Sequence, residues 1–121
     1  MIARALLVSL LLLTVSASAT EHRVKVARGA VYVDGAVRWQ GSAVTSPAVW
    51  SQRGDAIAFT GRDRLGRPRL VVVLIDDDGT FSWPVPRQAW PARAVTWLGD
   101  GRLGAGPSEL APKMVVSYTV D

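Results

Sequence analysis

The sequence predicts an all-β domain made of antiparallel, blade-like, four-stranded sheets, and three observations support this. After residue 20, no stretch places apolar residues at positions i, i+3, i+4 and i+7 over three helical turns. Eleven glycines and seven prolines interrupt the chain every few residues, which disfavours helices and suits hairpins. Valine and tryptophan, which are strand formers, fill the intervals between these breaks.

The N-terminus has the three ordered segments of a secretory signal peptide. Residues 1–4 carry one positive charge, residues 5–15 are an apolar run, and residues 16–19 form an A-x-A cleavage pattern. The apolar run is shorter than the roughly 20 residues of a permanent membrane anchor. We therefore expect a signal helix over residues 1–19 and export to the periplasm or the medium of a bacterium. Contact with the membrane is then transient, and retention of the segment as an anchor is the alternative.

The remaining residues, 20–121, are enough for one domain and too few for two. The chain has no cysteine, so packing without disulfides must stabilise this exported domain. Its net charge of +4 is small and both signs are mixed along the chain. Nucleic-acid binding needs a concentrated basic face, so this composition argues against a nucleic-acid partner.

A hairpin is predicted near the start of the domain. Residues 22–27 alternate between apolar and polar as a half-buried strand does. Two further strands, 30–33 and 36–39, flank Asp34-Gly35, and this dipeptide suits a type I′ turn because both of its positions need positive φ. The register places four residues on one side of the hairpin, which we assign to the core: Ala30, Tyr32, Val37 and Trp39.

The most apolar strand lies in a second group of strands, residues 48–83. Residues 70–75 are apolar without alternation, which predicts a strand covered on both faces at the centre of a sheet. A polar loop, 61–68, precedes this strand, and a turn at 76–79 follows it. The pattern begins again at residue 94 and ends in a strand over 113–120. The offset from Trp50 to Trp97 falls in the roughly 40–50-residue range of propeller blades.

Residues 47–60 resemble the TolB-like, WD-like β-propeller repeat. That repeat reads approximately Pro-x-Trp-Ser-Pro-Asp-Gly-x-x-Ile-Ala-Phe, followed by a loop rich in Asp, Arg and Gly, an apolar strand and an Asp-Gly turn. This chain has Gln52-Arg53 where the family usually has Pro-Asp, and its second copy from Val95 is looser. The resemblance implies a partial propeller of about two blades and protein–protein contact in the cell envelope.

The chain is short for a propeller, which needs about four to eight blades to close. Residues 48–83 form one full blade, with about three strands before it and three after it. Three interpretations remain open. The chain is a fragment of a longer propeller, it assembles with copies of itself, or its strands pack as a two-sheet sandwich.

The candidate binding residues are one tryptophan and four arginines. Trp90 lies in a proline-flanked loop, where an exposed aromatic side chain can contact a partner. The polar loop carries basic side chains opposed only by Asp63, and arginine forks suit carboxylate or phosphate groups. A solvated hairpin loop explains the same composition. The four arginines are Arg62, Arg64, Arg67 and Arg69. The other tryptophans occupy strand positions and are expected in the core: Trp39, Trp50, Trp83 and Trp97.

Neither a metal site nor a catalytic set is predicted. Asp76-Asp77-Asp78 lacks the full spacing of a calcium loop, and an Asp-Gly turn explains it. The only histidine, His22, lies near the mature terminus, and no cofactor motif is present. We therefore expect a non-catalytic binding or scaffold module that contacts another protein or associates with itself through sheet edges. A small propeller-related hydrolase or carbohydrate-acting enzyme is the alternative, which a carboxylate pair beside Trp90 would favour.

Overall fold

A computed structural model describes residues 22–120, and the predicted signal peptide lies outside these residues. The described chain forms antiparallel strands joined by short turns, with one 3-10 turn at Arg87–Ala89 and no α-helix. The prediction of an all-β fold is confirmed. The strands are β1 Val24–Ala27, β2 Ala30–Val33, β3 Ala36–Gln40, β4 Ala43–Val44, β5 Val49–Trp50, β6 Ala56–Arg62, β7 Pro68–Leu74, β8 Thr80–Pro84, β9 Ala94–Gly99, β10 Arg102–Gly106 and β11 Met114–Ser117.

Three sheets form in chain order. The first has the order β1-β2-β3, and the last has the order β11-β10-β9. The central sheet has the order β4-β6-β7-β8, with β5 pairing with β6 beside β4. Residues 48–83 therefore lie in one sheet, with a three-stranded sheet before it and another after it, as the sequence predicted. The last strand is shorter than predicted and covers four residues of the range 113–120.

The central sheet is covered on both faces, as the unbroken apolar run of residues 70–75 predicted. Side chains alternate along β6 and β7 and form two separate clusters. Leu70, Val72 and Leu74 belong to the cluster shared with the third sheet. Val71 and Val73 belong to the cluster shared with the first sheet. The strand β7 lies between β6 and β8, so its backbone is also hydrogen-bonded on both sides.

The first hairpin forms its predicted turn, but only part of its predicted core face is buried. Asp34 and Gly35 both have positive φ, at 51° and 85°, as a type I′ turn requires. The predicted core face is right for Ala30, which is 3% exposed, and wrong in two respects. Val31 and Val33 are buried although they were not assigned to the core, and Val37 is 51% exposed.

A bulge in β3 explains part of this difference. Tyr32 pairs with Val37 as predicted, but the register then shifts and Val31, rather than Ala30, pairs with Trp39. The extra residue is Arg38, whose guanidinium donates to the carbonyl oxygens of Leu74 and Asp77 at 2.6 and 2.7 Å. The bulge turns Trp39 toward the central sheet, where its ring meets Phe59 edge-on with centroids 5.2 Å apart.

The tryptophans divide between core and surface. Trp83 and Trp97 pack against the cluster between the central and third sheets, and Trp39 packs against the other cluster, as expected. Trp50 is 39% exposed, so its assignment to the core is wrong. Its strand, β5, is only two residues long and pairs with β6, and Trp50 joins neither core cluster.

Candidate functional site

A pocket of about 240 Å³ lies where β6 ends and the chain crosses from the central sheet to the third. Segment 85–93 makes this crossing and forms one wall of the pocket. The pocket is smaller than the roughly 300–1,000 Å³ typical of sites for drug-sized ligands. Its size therefore suits a single side chain or another small group. The lining residues are Thr45, Thr60, Arg62, Pro68, Val85, Trp90, Pro91, Ala92 and Arg93.

Trp90 is held in place while part of its ring stays open to solvent. Its indole N–H donates to the Val85 carbonyl oxygen at 3.1 Å, and its backbone N–H donates to the Arg87 carbonyl oxygen at 3.0 Å. The Arg87 guanidinium lies 5.6 Å from the ring centroid, within the range of a cation–π contact. Trp90 is nevertheless 46% exposed, in agreement with the exposure expected from its loop.

Two threonine hydroxyls position the pocket wall. The Thr60 hydroxyl donates to the Ala92 carbonyl oxygen at 2.7 Å and lies 2.9 Å from the Thr45 hydroxyl. The Thr60 hydroxyl donates its only proton to the Ala92 carbonyl oxygen. Thr45 is therefore the donor in the hydrogen bond between the two hydroxyls. The Thr60 residue is only 1% exposed, so these bonds satisfy a buried polar group. They tie the segment carrying Trp90 to β6.

Two arginines line the same pocket. Arg62 ends β6, and one of its guanidinium nitrogens donates to the Gly66 carbonyl oxygen at 3.0 Å, which orients the side chain. Arg93 follows the Trp90-Pro91-Ala92 run, and sequence reasoning did not single it out. Within residues 22–120, neither arginine takes part in an ion pair. The pocket thus combines an exposed indole with two positive charges that lack a carboxylate partner among the described residues.

The other three predicted arginines do not join this pocket. Arg67 forms an ion pair with Asp63 at 3.0 Å, and Arg64 lies 3.4 Å from the Gln40 side-chain oxygen. Arg69 donates to the Ser82 hydroxyl at 2.8 Å. Because side chains alternate along paired strands, Arg69 projects from the face of the central sheet opposite to that of Arg62. The four predicted arginines therefore lie in four separate environments and do not form one basic patch.

Asp63 organises the loop that carries Arg62. Its carboxylate accepts hydrogen bonds from the backbone N–H groups of Arg67 and Leu65, at 2.8 and 3.0 Å, and from the Arg67 guanidinium. The Arg67 backbone N–H contributes most to lowering the pKa of Asp63, and the Arg67 side chain and the Leu65 N–H add to it. The structure therefore keeps this carboxylate ionised and occupied within its own loop.

A second pocket, of about 310 Å³, lies at the other end of the strands. Two carboxylates line it, and each already has a partner: Asp55 accepts from the Ser51 hydroxyl at 2.7 Å, and Asp100 pairs with Arg53 at 3.1 Å. Tyr118 also lines this pocket, and burial raises its pKa, with the nearby carboxylates adding to the effect. Among the described residues that line this pocket there is no histidine.

Within residues 22–120, no three His, Cys, Asp or Glu side chains are grouped so as to hold a metal ion. The same part of the chain contains no helix that is long and apolar enough to cross a membrane. Comparison of the chain with protein-family models, with curated proteins and with solved structures finds no match. The resemblance to TolB-like repeats therefore stays a prediction from the sequence.

Proposed function

We propose that this protein is an exported, non-catalytic binding module that contacts another protein through the pocket beside Trp90. The proposal rests on one observation about Trp90. Two hydrogen bonds fix this residue in place, yet it remains 46% exposed at the pocket. Aromatic side chains of this kind serve as anchors at protein interfaces, since they bring large contact area and lose little conformational freedom.

The location belongs to the same proposal. The signal-like pattern of residues 1–19 supports export to the periplasm or the medium, and a domain without cysteines is compatible with that setting. Three consecutive antiparallel sheets that stack through their faces support a TolB-like partial propeller. In such a protein the partner would be another envelope protein, or a further copy of this chain that pairs with a free sheet edge.

The enzymatic alternative is less well supported. It would be favoured by a carboxylate pair in the pocket beside Trp90, but the described residues that line this pocket include no aspartate or glutamate. The carboxylates of Asp55 and Asp100 lie at the far end of the sheets, each with a hydrogen-bonding or ionic partner. We therefore propose binding rather than catalysis.

Site-specific photocrosslinking in the native envelope tests the proposal. A benzophenone amino acid at position 90 should give a crosslinked adduct with a defined protein, because the side chain would lie in the interface. The control is the same amino acid at Trp50, which is similarly exposed, at 39%, but outside the pocket. Equal adducts at both positions, or none at position 90, would contradict the proposal. Recovery of the chain in the cytoplasm with residues 1–19 retained would contradict export.

A further inference from the structure

We propose that the pocket beside Trp90 binds a carboxylate of an acidic protein segment. This inference deepens the proposed function and rests on it, because it names the chemistry of the partner. The guanidinium groups of Arg62 and Arg93 would hold the carboxylate, and Trp90 with Val85 would contact the methylene groups next to it. Arginine is suited to this role because its planar fork matches the two oxygens of a carboxylate.

The charge state of the pocket is the first argument. Arg62 and Arg93 are both exposed and line one small pocket, and no described carboxylate neutralises either of them. The neighbouring Arg67 shows the contrast, because Asp63 pairs with it at 3.0 Å. Arg62 is also oriented by its bond to the Gly66 carbonyl oxygen, which leaves its other N–H groups available to a ligand.

The distribution of charge over the whole domain is the second, independent argument. Backbone hydrogen bonds join Gly41 to Gly29, Ser42 to Arg62, Val85 to Pro68 and Arg93 to Gly106. The turn at 28–29, the loop at 62–67, segment 85–93 and the strand end at 106 therefore lie at one end of the sheets. We call this the basic end; with the loop that follows residue 106, it carries seven basic residues and two acidic ones. These are Arg28, Arg62, Arg64, Arg67, Arg87, Arg93 and Lys113, with Asp63 and Glu109.

The turns at the opposite end carry the opposite charge. Six aspartates lie there. His22 lies 2.7 Å from Asp34 and 3.9 Å from Asp76, and Arg53 pairs with Asp100, so these contacts link the turns. The guanidinium groups of Arg38 and Arg53 lie at the same end and offset part of its negative charge. The six are Asp34, Asp55, Asp76, Asp77, Asp78 and Asp100. The two ends therefore differ in the sign of their net charge, although the net charge of the whole chain is only +4. The field of such a molecule orients an acidic partner toward the basic end, where the pocket lies.

The pocket favours a protein carboxylate over the phosphates of a nucleic acid. Nucleic-acid binding depends on many phosphate contacts along an extended surface. Here two unpaired arginines share a volume of about 240 Å³ with the apolar surfaces of Val85, Pro68 and Pro91. That composition suits a short aliphatic carboxylate such as the side chain of glutamate.

Fluorescence anisotropy with a defined peptide tests the inference. The probe is a labelled eight-residue peptide of alternating glutamate and alanine, with its glutamine counterpart as the uncharged control. The purified protein should bind the glutamate peptide at least tenfold more tightly than the glutamine peptide. Arg62→Gln and Arg93→Gln should each weaken binding about 10- to 100-fold, in line with the strength of charged hydrogen bonds.

The matched control is Arg69→Gln, which removes the same charge near the same end but from the opposite face of the central sheet. It should change binding less than twofold. Arg93 makes no side-chain hydrogen bond within residues 22–120, so Arg93→Gln should fold normally, and an unchanged melting temperature will confirm this. Arg62→Lys keeps the charge without the fork and should bind with intermediate affinity.

Three outcomes would overturn the inference. The first is an equal loss of affinity for the glutamate peptide in Arg62→Gln and Arg69→Gln. The second is tighter binding of an oligonucleotide of the same charge than of the glutamate peptide. The third is equal affinity for the glutamate and glutamine peptides. If the crosslink at position 90 persists in any of these cases, only the carboxylate chemistry is wrong and the proposed function stands. If the crosslink is also absent, both fail.

Discussion

The Thr60 hydroxyl donates a hydrogen bond of 2.7 Å to the Ala92 carbonyl oxygen, and this bond joins the central sheet to the segment that carries Trp90. Thr60 is buried, at 1% exposure, so the bond satisfies a hydroxyl that has little access to water. The geometry of the pocket therefore depends on Thr60, which in the sequence is an ordinary strand residue.

We expect Thr60→Val to lower the free energy of unfolding by about 1–3 kcal/mol, because valine leaves the Ala92 carbonyl without this donor. Chemical denaturation will measure the change. Thr80→Val is the matched control, since Thr80 is exposed in β8 and its hydroxyl makes no hydrogen bond within residues 22–120. Equal losses of unfolding free energy in Thr60→Val and Thr80→Val would show that the Thr60–Ala92 bond does not stabilise the protein.

Gly61 allows the Trp39 ring to lie against β6. A Cβ atom at position 61 would meet Cη2 of Trp39 at 2.7 Å and the carbonyl oxygen of Ala43 at 2.8 Å. We expect Gly61→Ala to lower the free energy of unfolding by about 1–3 kcal/mol through overpacking. Gly99→Ala serves as the control because nothing lies within 4 Å of its added Cβ. A stable Gly61→Ala variant would contradict the close packing of Trp39.

The two faces of β7 should contribute comparably to stability. Val71 and Val72 are both fully buried, but they pack in different clusters. We expect Val71→Ala and Val72→Ala each to lower the free energy of unfolding by about 2 kcal/mol, mainly through lost burial and the cavity left behind.

Val115→Ala is the control for these two substitutions, because Val115 is 50% exposed and should lose less than about 0.5 kcal/mol. Thermal unfolding of all three variants and of the parent should show one cooperative transition, since the central sheet connects both clusters. Separate transitions for the two clusters, or a non-cooperative melt of the parent, would contradict the single-domain interpretation.

The pH dependence of stability should include a contribution from Asp63. The pKa of Asp63 lies below its ordinary value of 3.8 in the folded protein, chiefly because of the Arg67 backbone N–H. Its stabilising contribution is therefore complete above the unfolded-state pKa and is lost as the pH falls through the lower, folded-state pKa.

Melting temperatures measured from pH 6 downward to about pH 2 will show this contribution. The parent should lose stability more steeply below about pH 4 than Asp63→Asn, which has no carboxylate to protonate. Asp78→Asn is the control, since the Asp78 side chain makes no hydrogen bond or ion pair within residues 22–120. Identical acid profiles for the parent and Asp63→Asn would contradict the assignment.

Much of the local architecture was predictable from the sequence. The turn at Asp34-Gly35, the buried character of residues 70–75 and the division into strands before and after residues 48–83 all follow from short-range patterns. Trp90 and Arg62 were also identified as candidates. Arg93 was missed because a single arginine after a proline-rich loop has no distinctive pattern, although the alternation of arginine-rich and aspartate-rich connections along the chain is a signal for the two charged ends.

The sequence by itself determined the strand class, the antiparallel connections and the turn chemistry, because these depend on residues that are neighbours in the chain. Only the tertiary structure decided which faces are buried and which loops meet. The bulge at Arg38 changes the pairing partner of Trp39. Sheet packing brings Arg93 and Trp90 to Arg62, and it leaves Arg69 on the opposite face of the central sheet. These outcomes depend on how whole sheets stack, and that packing is a sum of contacts between residues far apart in the sequence.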